Sequence, residues 1–475
     1  MTARGERRIA IIGAGFAGSL LAVRLADVPG VTPVLVEKSR DAGPGLAYGA
    51  AGPTHVLNVT VQRMEVGLSP SFQDWLDAHS RETAEAVTEA GELAQAFVPR
   101  RLFGHYMAER VGEAVAAGRI RRVRGEVTAI RTEAGGFTLT LADGRTLEAG
   151  DVVLATGHLP PRPISVRSPH GDELQDSHAF VPDPWTPGVL ASIRRDQAVL
   201  LIGSGLTAID VALSLQAQGH TGAIHLLSRH GLLPRLHLAG GEWPPFLGPR
   251  AGHSPLRLLR ILRDQAAAAS LRGIPWQRVM DAARPDIARI WSAWDEKARA
   301  RFLRHGRSIW DVHRHRMPQR VANRLIALME GGQLRVHGGR LMSYEAGAGG
   351  LWLTLRPRGS REARHIQVDH VVNCTGPGGN FADTQLPLFA DLRRQGLIRA
   401  DHRHLGIETL DTEVIDATGN IVDGLHALGS LTRPALWEIT AVPDITAQVS
   451  RLVARLVGPE PCDDRVLADG DVADR

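Results

Sequence analysis

Arg8-Ile9-Ala10-Ile11-Ile12-Gly13-Ala14-Gly15-Phe16-Ala17-Gly18 opens the chain with an apolar, β-branched run and then three glycines in the order GxGxxG. The run suits a buried parallel strand, and Phe16 to Asp27 suits a helix that starts from the turn. Each glycine has a mechanical role. Gly13 makes the tight turn, Gly15 lets the backbone approach a pyrophosphate, and Gly18 brings the helix close to the sheet. The helix N-terminus, with Phe16 and Ala17 in its first turn, offers free N–H groups and the positive end of its dipole to an anion. The next strand, Val34-Leu35-Val36, ends at Glu37, followed by Lys38. A carboxylate about twenty residues beyond the last motif glycine is where an adenosine ribose is held. Strand, turn, helix, strand and acid in register predict a dinucleotide site on Gly13, Gly15, Phe16, Ala17, Gly18, Glu37 and Lys38.

The pattern recurs far along the chain. Ala198-Val199-Leu200-Leu201-Ile202 runs into Gly203-Ser204-Gly205-Leu206-Thr207-Ala208, a helix-like stretch follows to Gln218, and the next strand spans Ala223 to Leu227. Two dinucleotide turns on one chain point to FAD and a nicotinamide nucleotide, the pairing of a flavoenzyme. The second strand ends in Ser228-Arg229-His230 and not in an acid. A guanidinium forks onto a phosphate that a carboxylate would repel, so Arg229 predicts NADPH over NADH. Gly203, Ser204, Gly205, Leu206, Thr207, Ser228 and Arg229 form this second expected site.

The 475 residues exceed one ordinary core and fit two or three domains. Runs at Ile120 to Arg131, Phe137 to Leu141 and Arg145 to Leu147 read as an antiparallel meander. Asp151-Val152-Val153-Leu154-Ala155-Thr156-Gly157 then marks the crossing into the nicotinamide half. A second meander, at Leu334 to Tyr344 and Leu351 to Leu355, precedes Val371-Val372-Asn373-Cys374-Thr375-Gly376, the return crossing. Thr156, Gly157, Thr375 and Gly376 thereby join the expected cofactor contacts. Leu425 to Leu428 reads as a strand into Gly429-Ser430, and Ile439 to Leu456 as a helix whose N-terminus faces the flavin ring. The expected fold class is α/β, with two Rossmann-like domains, antiparallel meanders and a helical insertion. Its divisions are 1–170 and 371–457 for FAD, 171–370 for NAD(P)H with the insertion at about 250–325, and a disordered tail at 458–475.

Composition narrows the function. A net charge of +4, with 5% aromatic residues, argues against nucleic-acid binding. The two cysteines, Cys374 and Cys462, form no Cys-x-x-Cys pair, which disfavours a disulfide reductase. Both long apolar stretches are broken by the glycine turns, so neither reads as a membrane span or export signal, and a cytoplasmic enzyme is expected. His313-x-His315 has no matched carboxylate or cysteine, so no metal is expected. The arginine-rich insertion carries Trp276, Trp291, Trp294 and Trp310. Guanidinium forks and indole faces suit an anionic or planar substrate, but for most of these residues helical spacing points rather to a core with solvated faces. His313, Arg316 and Asn58 are the candidate catalytic residues. Asn58, with His55 and Met64, falls where a loop should fold over the flavin ring, although an Asx-type turn suits Asn58 nearly as well, and Arg101 is a candidate for the FAD phosphate or, equally, for a helix cap.

Together with the first turn, Gly43-Pro44-Gly45-Leu46-Ala47-Tyr48-Gly49, His55-Val56-Leu57-Asn58-Val59, Val98-Pro99-Arg100-Arg101-Leu102-Phe103-Gly104, Trp310-Asp311-Val312-His313-Arg314-His315-Arg316 and Trp437-Glu438-Ile439-Thr440-Ala441-Val442-Pro443 extend the pattern almost end to end. In these stretches the chain resembles a bacterial FAD/NAD(P)-binding family that includes urate hydroxylases and aspartate N-monooxygenases. The resemblance implies a single-chain monooxygenase. NADPH reduces FAD, reduced FAD takes up molecular oxygen as a C4a-hydroperoxide, and a small polar or anionic substrate, urate-like or an amino acid such as aspartate, is hydroxylated. A Baeyer–Villiger signature would need Phe and Gly where Asp172 and Leu174 precede His178, so ester formation is not expected. Two Rossmann units show binding and not reaction, so an NAD(P)H-dependent flavin reductase or oxidase, or a nucleotide-sensing flavoprotein with a protein partner, fits the same residues.

Overall fold

The computed structural model describes residues 7–248, 252, 254–347 and 349–458. The expected tail after Gly458, including Cys462, lies outside them. Two seven-stranded sheets organise the chain. In the first, Ile421–Ala427, Asp151–Leu154, Arg7–Ile12, Val31–Glu37 and Arg121–Arg124 run parallel in that order, with two short antiparallel strands beyond Ile421–Ala427. The register sets Ile12 opposite both Val36 and Leu154, so three strand ends meet at the Gly13 turn. In the second, Phe180–Val181, His370–Asn373, Val199–Ile202 and Ile224–Ser228 are parallel. The strand Leu334–Gly347 pairs parallel with Ile224–Ser228 at its start and antiparallel with Gly350–Pro357 beyond. This is the mixed α/β architecture with two Rossmann-type units that the two glycine turns imply.

The meander expected from Ile120 is divided differently. Arg121–Arg124 completes the parallel sheet, and the separate antiparallel sheet consists of Val127–Glu133, Gly136–Leu141 and Thr146–Ala149. The break falls at Gly125, whose N–H is taken by the Glu37 carbonyl at 3.0 Å, where the parallel pairing ends. The second meander gains a third strand, Arg364–Val368. The C-terminal helix starts at Val442 and not at Ile439, because Pro443 is tolerated only in a first turn.

The chain crosses between the sheets twice, and the crossings touch. Leu159–Pro161 on the way out pairs antiparallel with Pro377–Gly378 on the way back. The insertion contains the helices Pro255–Leu271, Trp276–Ala283, Ile287–Ala293, Glu296–Arg301 and Arg307–Arg314. Its core is aromatic: Trp291 is 1% exposed and packs with Trp294, Phe302, Trp310 and Trp437. These indoles are therefore structural, and their faces are already covered. The helix Gln319–Glu330 belongs to the second Rossmann core, into which it buries Val321, Ala322, Leu325 and Leu328 beside Val199 and Ile209.

Candidate functional site

The first turn is built by close packing. Gly13 has φ +103°, and a Cβ there would lie 2.6 Å from the Ala155 carbonyl oxygen. A Cβ on Gly18 would overlap the Gly13 carbonyl oxygen. Gly15 differs, because its Cβ would meet only Gly45 Cα, at 3.6 Å. No side chain caps the helix Phe16–Leu25, so its first N–H groups face outward beside Gly15. The Glu37 carboxylate stands at the lip. It accepts from Ala14 N at 2.7 Å and from Ser39 N at 2.8 Å. Thr156 Cα lies 3.1 Å from a Gly13 Cβ, Gly157 has φ +76°, and Gly429, with φ +66°, sits against Ala17. Gly13, Gly15, Phe16, Ala17, Gly18, Glu37, Thr156, Gly157 and Gly429 thus converge on one turn, and an uncapped helix end, a glycine cradle and a carboxylate fit an adenine dinucleotide. Phe16 is buried against Tyr48 and Phe103 and serves packing.

Other expected residues lie elsewhere. Lys38 is exposed and 3.8 Å from Glu126. Arg101 is ion-paired with Glu82 at 2.5 Å. Met64 is buried in the first core. His55 pins the two halves: its Nδ1 accepts from Gly52 N at 3.0 Å, and its Nε2 lies 2.7 Å from Ser214 Oγ on the helix Leu206–Ala217. Burial holds this imidazole below its ordinary pKa, against the nearby Asp210 charge. Arg100 reaches the same helix through Asp210, at 3.0 Å. Asn58 is half-buried, and its side chain has no hydrogen-bond partner among the described residues.

The second turn repeats the first. Gly203 has φ +129°, and its Cβ would overlap the Cys374 carbonyl oxygen, whereas Gly205 has nothing within 4 Å of a Cβ. The helix from Leu206 through Thr207 to Ala217 has no side-chain cap. Ser204 Oγ lies 2.8 Å from Ser228 Oγ and 2.6 Å from the Leu232 carbonyl oxygen, fixing the loop that carries Arg229. Arg229 is exposed at the strand end. Thr375 donates its hydroxyl to Asn373 Oδ1 at 2.7 Å, and Gly376 has φ +85°, so both shape the return crossing. Cys374 is buried, which pushes its thiol up and out of reach of thiolate chemistry.

A third constellation lies where the insertion meets the segment before the C-terminal helix. Glu438, 8% exposed, accepts from Trp310 Nε1 and from Arg314 Nε, both at 2.7 Å. Burial alone would raise this carboxyl, but the Arg314 and His315 charges and the indole hydrogen bond hold it below its ordinary value. Arg433 stacks on Trp437 at 4.3 Å; burial and the neighbouring Arg307 charge lower its guanidinium to about 10, so it stays charged at neutral pH. Its field also reaches His158, just past the Thr156-Gly157 turn. Among the candidates from the insertion, Arg316 is buried in an ion pair with Asp281 at 2.5 Å. His313 rests its ring on Trp276 and lies 2.7 Å from the Ile309 carbonyl oxygen. Both hold the insertion together. Glu438 falls within the Trp437–Pro443 stretch of the resemblance, but its role, like that of Arg433, is set by partners far along the chain.

Residues 10–159 match a family model described as FAD-NAD(P)-binding, the segment that carries the first turn and the Thr156-Gly157 crossing. No curated protein sequence matches the chain. Among solved structures, the ornithine hydroxylase of Pseudomonas aeruginosa is similar, with a TM-score of 0.61 and 17% identity over 96% of this chain and 100% of that one. The L-lysine 6-monooxygenase of Pseudomonas syringae gives 0.61 and 18%, covering 94% and 98%. The cadaverine monooxygenase of Erwinia amylovora, bound to FAD, gives 0.64 and 13%, covering 98% and 99%. These likenesses are of fold, and they extend over the insertion as well as both Rossmann units. Among the described residues, no helix is long and apolar enough to cross a membrane.

Proposed function

We propose that the chain is an FAD-dependent, NADPH-consuming monooxygenase acting on a small polar, anionic molecule in the cytoplasm. The observation that carries this reading is the pair of open, uncapped glycine turns at Gly15 and Gly205, on sheets joined by paired crossing strands. In this reading residues 1–170 and 371–457 hold FAD, and 171–370 hold the nicotinamide nucleotide. Bound FAD supplies hydride acceptance and oxygen activation. Glu37 holds the adenosine ribose, the two helix N-termini hold the pyrophosphates, and Arg229 takes the 2′-phosphate. The Arg307 and Arg433 guanidiniums orient an anionic substrate at the insertion junction, and the packed tryptophans beside them exclude water.

An amine-bearing substrate, such as an amino acid oxidised at nitrogen, suits the junction better than a urate-like ring. Ring stacking would need exposed indole faces, and Trp291, Trp294 and Trp310 are buried against one another. The ornithine, lysine and cadaverine enzymes that share the fold also act on amines.

The test is stoichiometry. NADPH consumption, hydrogen peroxide and product are measured with and without aspartate, ornithine, lysine or urate. A substrate that suppresses peroxide while a hydroxylated product accumulates is the expected result. Peroxide equal to NADPH consumed under every condition would instead mark a reductase or oxidase. Arg229→Asp is expected to raise KM for NADPH by about tenfold or more and to leave NADH within about twofold. Equal changes for both nucleotides would remove Arg229 from the phosphate site.

A further inference from the structure

The second meander brings another guanidinium to the end of the strand that carries Arg229. The Arg358 backbone N–H donates to the Gly338 carbonyl at 2.8 Å, which extends the antiparallel register of Gly339 opposite Pro357. Gly338 in turn lies against the Arg229 loop: a Cβ on Gly231, which has φ +64°, would be 3.1 Å from Gly338 Cα, and one on Gly338 would be 3.3 Å from the His230 carbonyl oxygen. Backbone contacts therefore fix Arg358 beside Arg229 and His230. Both arginines are exposed, and neither guanidinium has a hydrogen-bond or ion-pair partner among the described residues. Partial burial, together with the nearby Arg358 and Arg229 charges, holds His230 below its ordinary pKa. The basic strip continues with Arg340 and Arg356, directly opposite each other across the ribbon. Like charges so placed are destabilising unless an anion is shared.

We propose that Arg358 and Arg229 form a two-armed clamp for the 2′-phosphate of NADPH, with Arg358, delivered by the meander and not by the Rossmann unit, a determinant of nucleotide specificity. The inference rests on the NADPH reading above. A phosphate dianion held by two guanidinium forks receives up to four charge-assisted hydrogen bonds, where a lone arginine gives two. The meander then has a role beyond packing, since the length and register of Gly350–Pro357 decide where Arg358 falls.

The test uses the FAD-loaded enzyme and two probes that differ only in the phosphate, adenosine 2′,5′-bisphosphate and adenosine 5′-monophosphate, with affinities measured by calorimetry. The wild type is expected to prefer the bisphosphate, Arg358→Ala to lower that preference by about tenfold or more with the monophosphate unchanged, and Arg358→Lys to fall between. A wild type without preference would overturn the NADPH reading itself. A wild type with preference that Arg358→Ala retains would overturn the clamp alone. Arg356→Ala is the control for a diffuse field, and a loss equal to that of Arg358→Ala would also overturn the clamp. Because Arg358→Lys keeps the charge and the stem, it reports on the fork even if the alanine variant folds poorly.

Discussion

Gly205→Ala is expected to fold, retain its flavin and lose affinity for NADPH by about ten- to a hundredfold, while Gly203→Ala is expected to lose the second Rossmann unit altogether. The two residues are neighbours in one motif, yet their geometry separates their roles. Gly203 sits at φ +129°, where an L side chain is strained, and its Cβ would overlap the Cys374 backbone. Left-handed strain costs about 1–2 kcal/mol. The backbone overlap adds to it, and the sheet cannot yield because Ile202 is in register with both Leu227 and Asn373. Gly205 has φ −83° and ψ −172°, open to any residue, and empty space around its Cβ. Only a ligand would meet a methyl group there. The same contrast is expected between Gly13→Ala and Gly15→Ala at the first turn, read as loss of bound flavin absorbance. Circular dichroism and thermal melting distinguish misfolding from lost binding. A Gly205→Ala enzyme with unchanged NADPH affinity would mean that the second turn holds no pyrophosphate.

Much of this architecture is legible in the sequence, because a Rossmann turn is a local device. Strand, glycines, helix and the end of the next strand lie within one short stretch, and each residue type answers to a constraint inside it. Glu37 and Arg229 are readable for that reason. Elements placed by distant partners are not. Arg364–Val368 has little apolar alternation and becomes a strand only because Gly350–Pro357 offers it an edge. The split at Gly125 depends on where the parallel pairing with Glu37 stops. The tryptophans of the insertion admit a ligand or a core on composition, and only their mutual packing decides. His55 looks like a flavin-loop residue in sequence, but its partners Asp210 and Ser214 belong to the second unit. Arg358 carries no motif, and its position follows from the register of a hairpin.

Replacing Glu438 tests whether the insertion is held to the segment before the C-terminal helix by one buried carboxylate. Glu438→Ala is expected to destabilise this junction by about 3–5 kcal/mol, because it leaves the Arg314 charge buried without its partner. Arg314 is only 9% exposed, and one of its Nη atoms already lacks a hydrogen bond, so water cannot readily replace the lost acceptor. Glu438→Gln keeps an acceptor for Trp310 and the side-chain volume, so its expected loss is smaller, about 1.5–3 kcal/mol. The pH dependence has a definite sign. The Glu438 carboxyl is held below its ordinary value of 4.5 in the folded chain, so its contribution is fully present above that value and is lost as pH falls through the lowered one. The stability gap between wild type and Glu438→Gln should therefore be constant near neutrality and should narrow on acidification below about 4.5. Denaturant melts of both proteins over that range check it, with tryptophan fluorescence as the probe, since Trp291, Trp310 and Trp437 pack at this junction. A gap that widened with acid would mean that the carboxyl is protonated in the folded state, and the Arg314 pair could not then be what fastens the insertion.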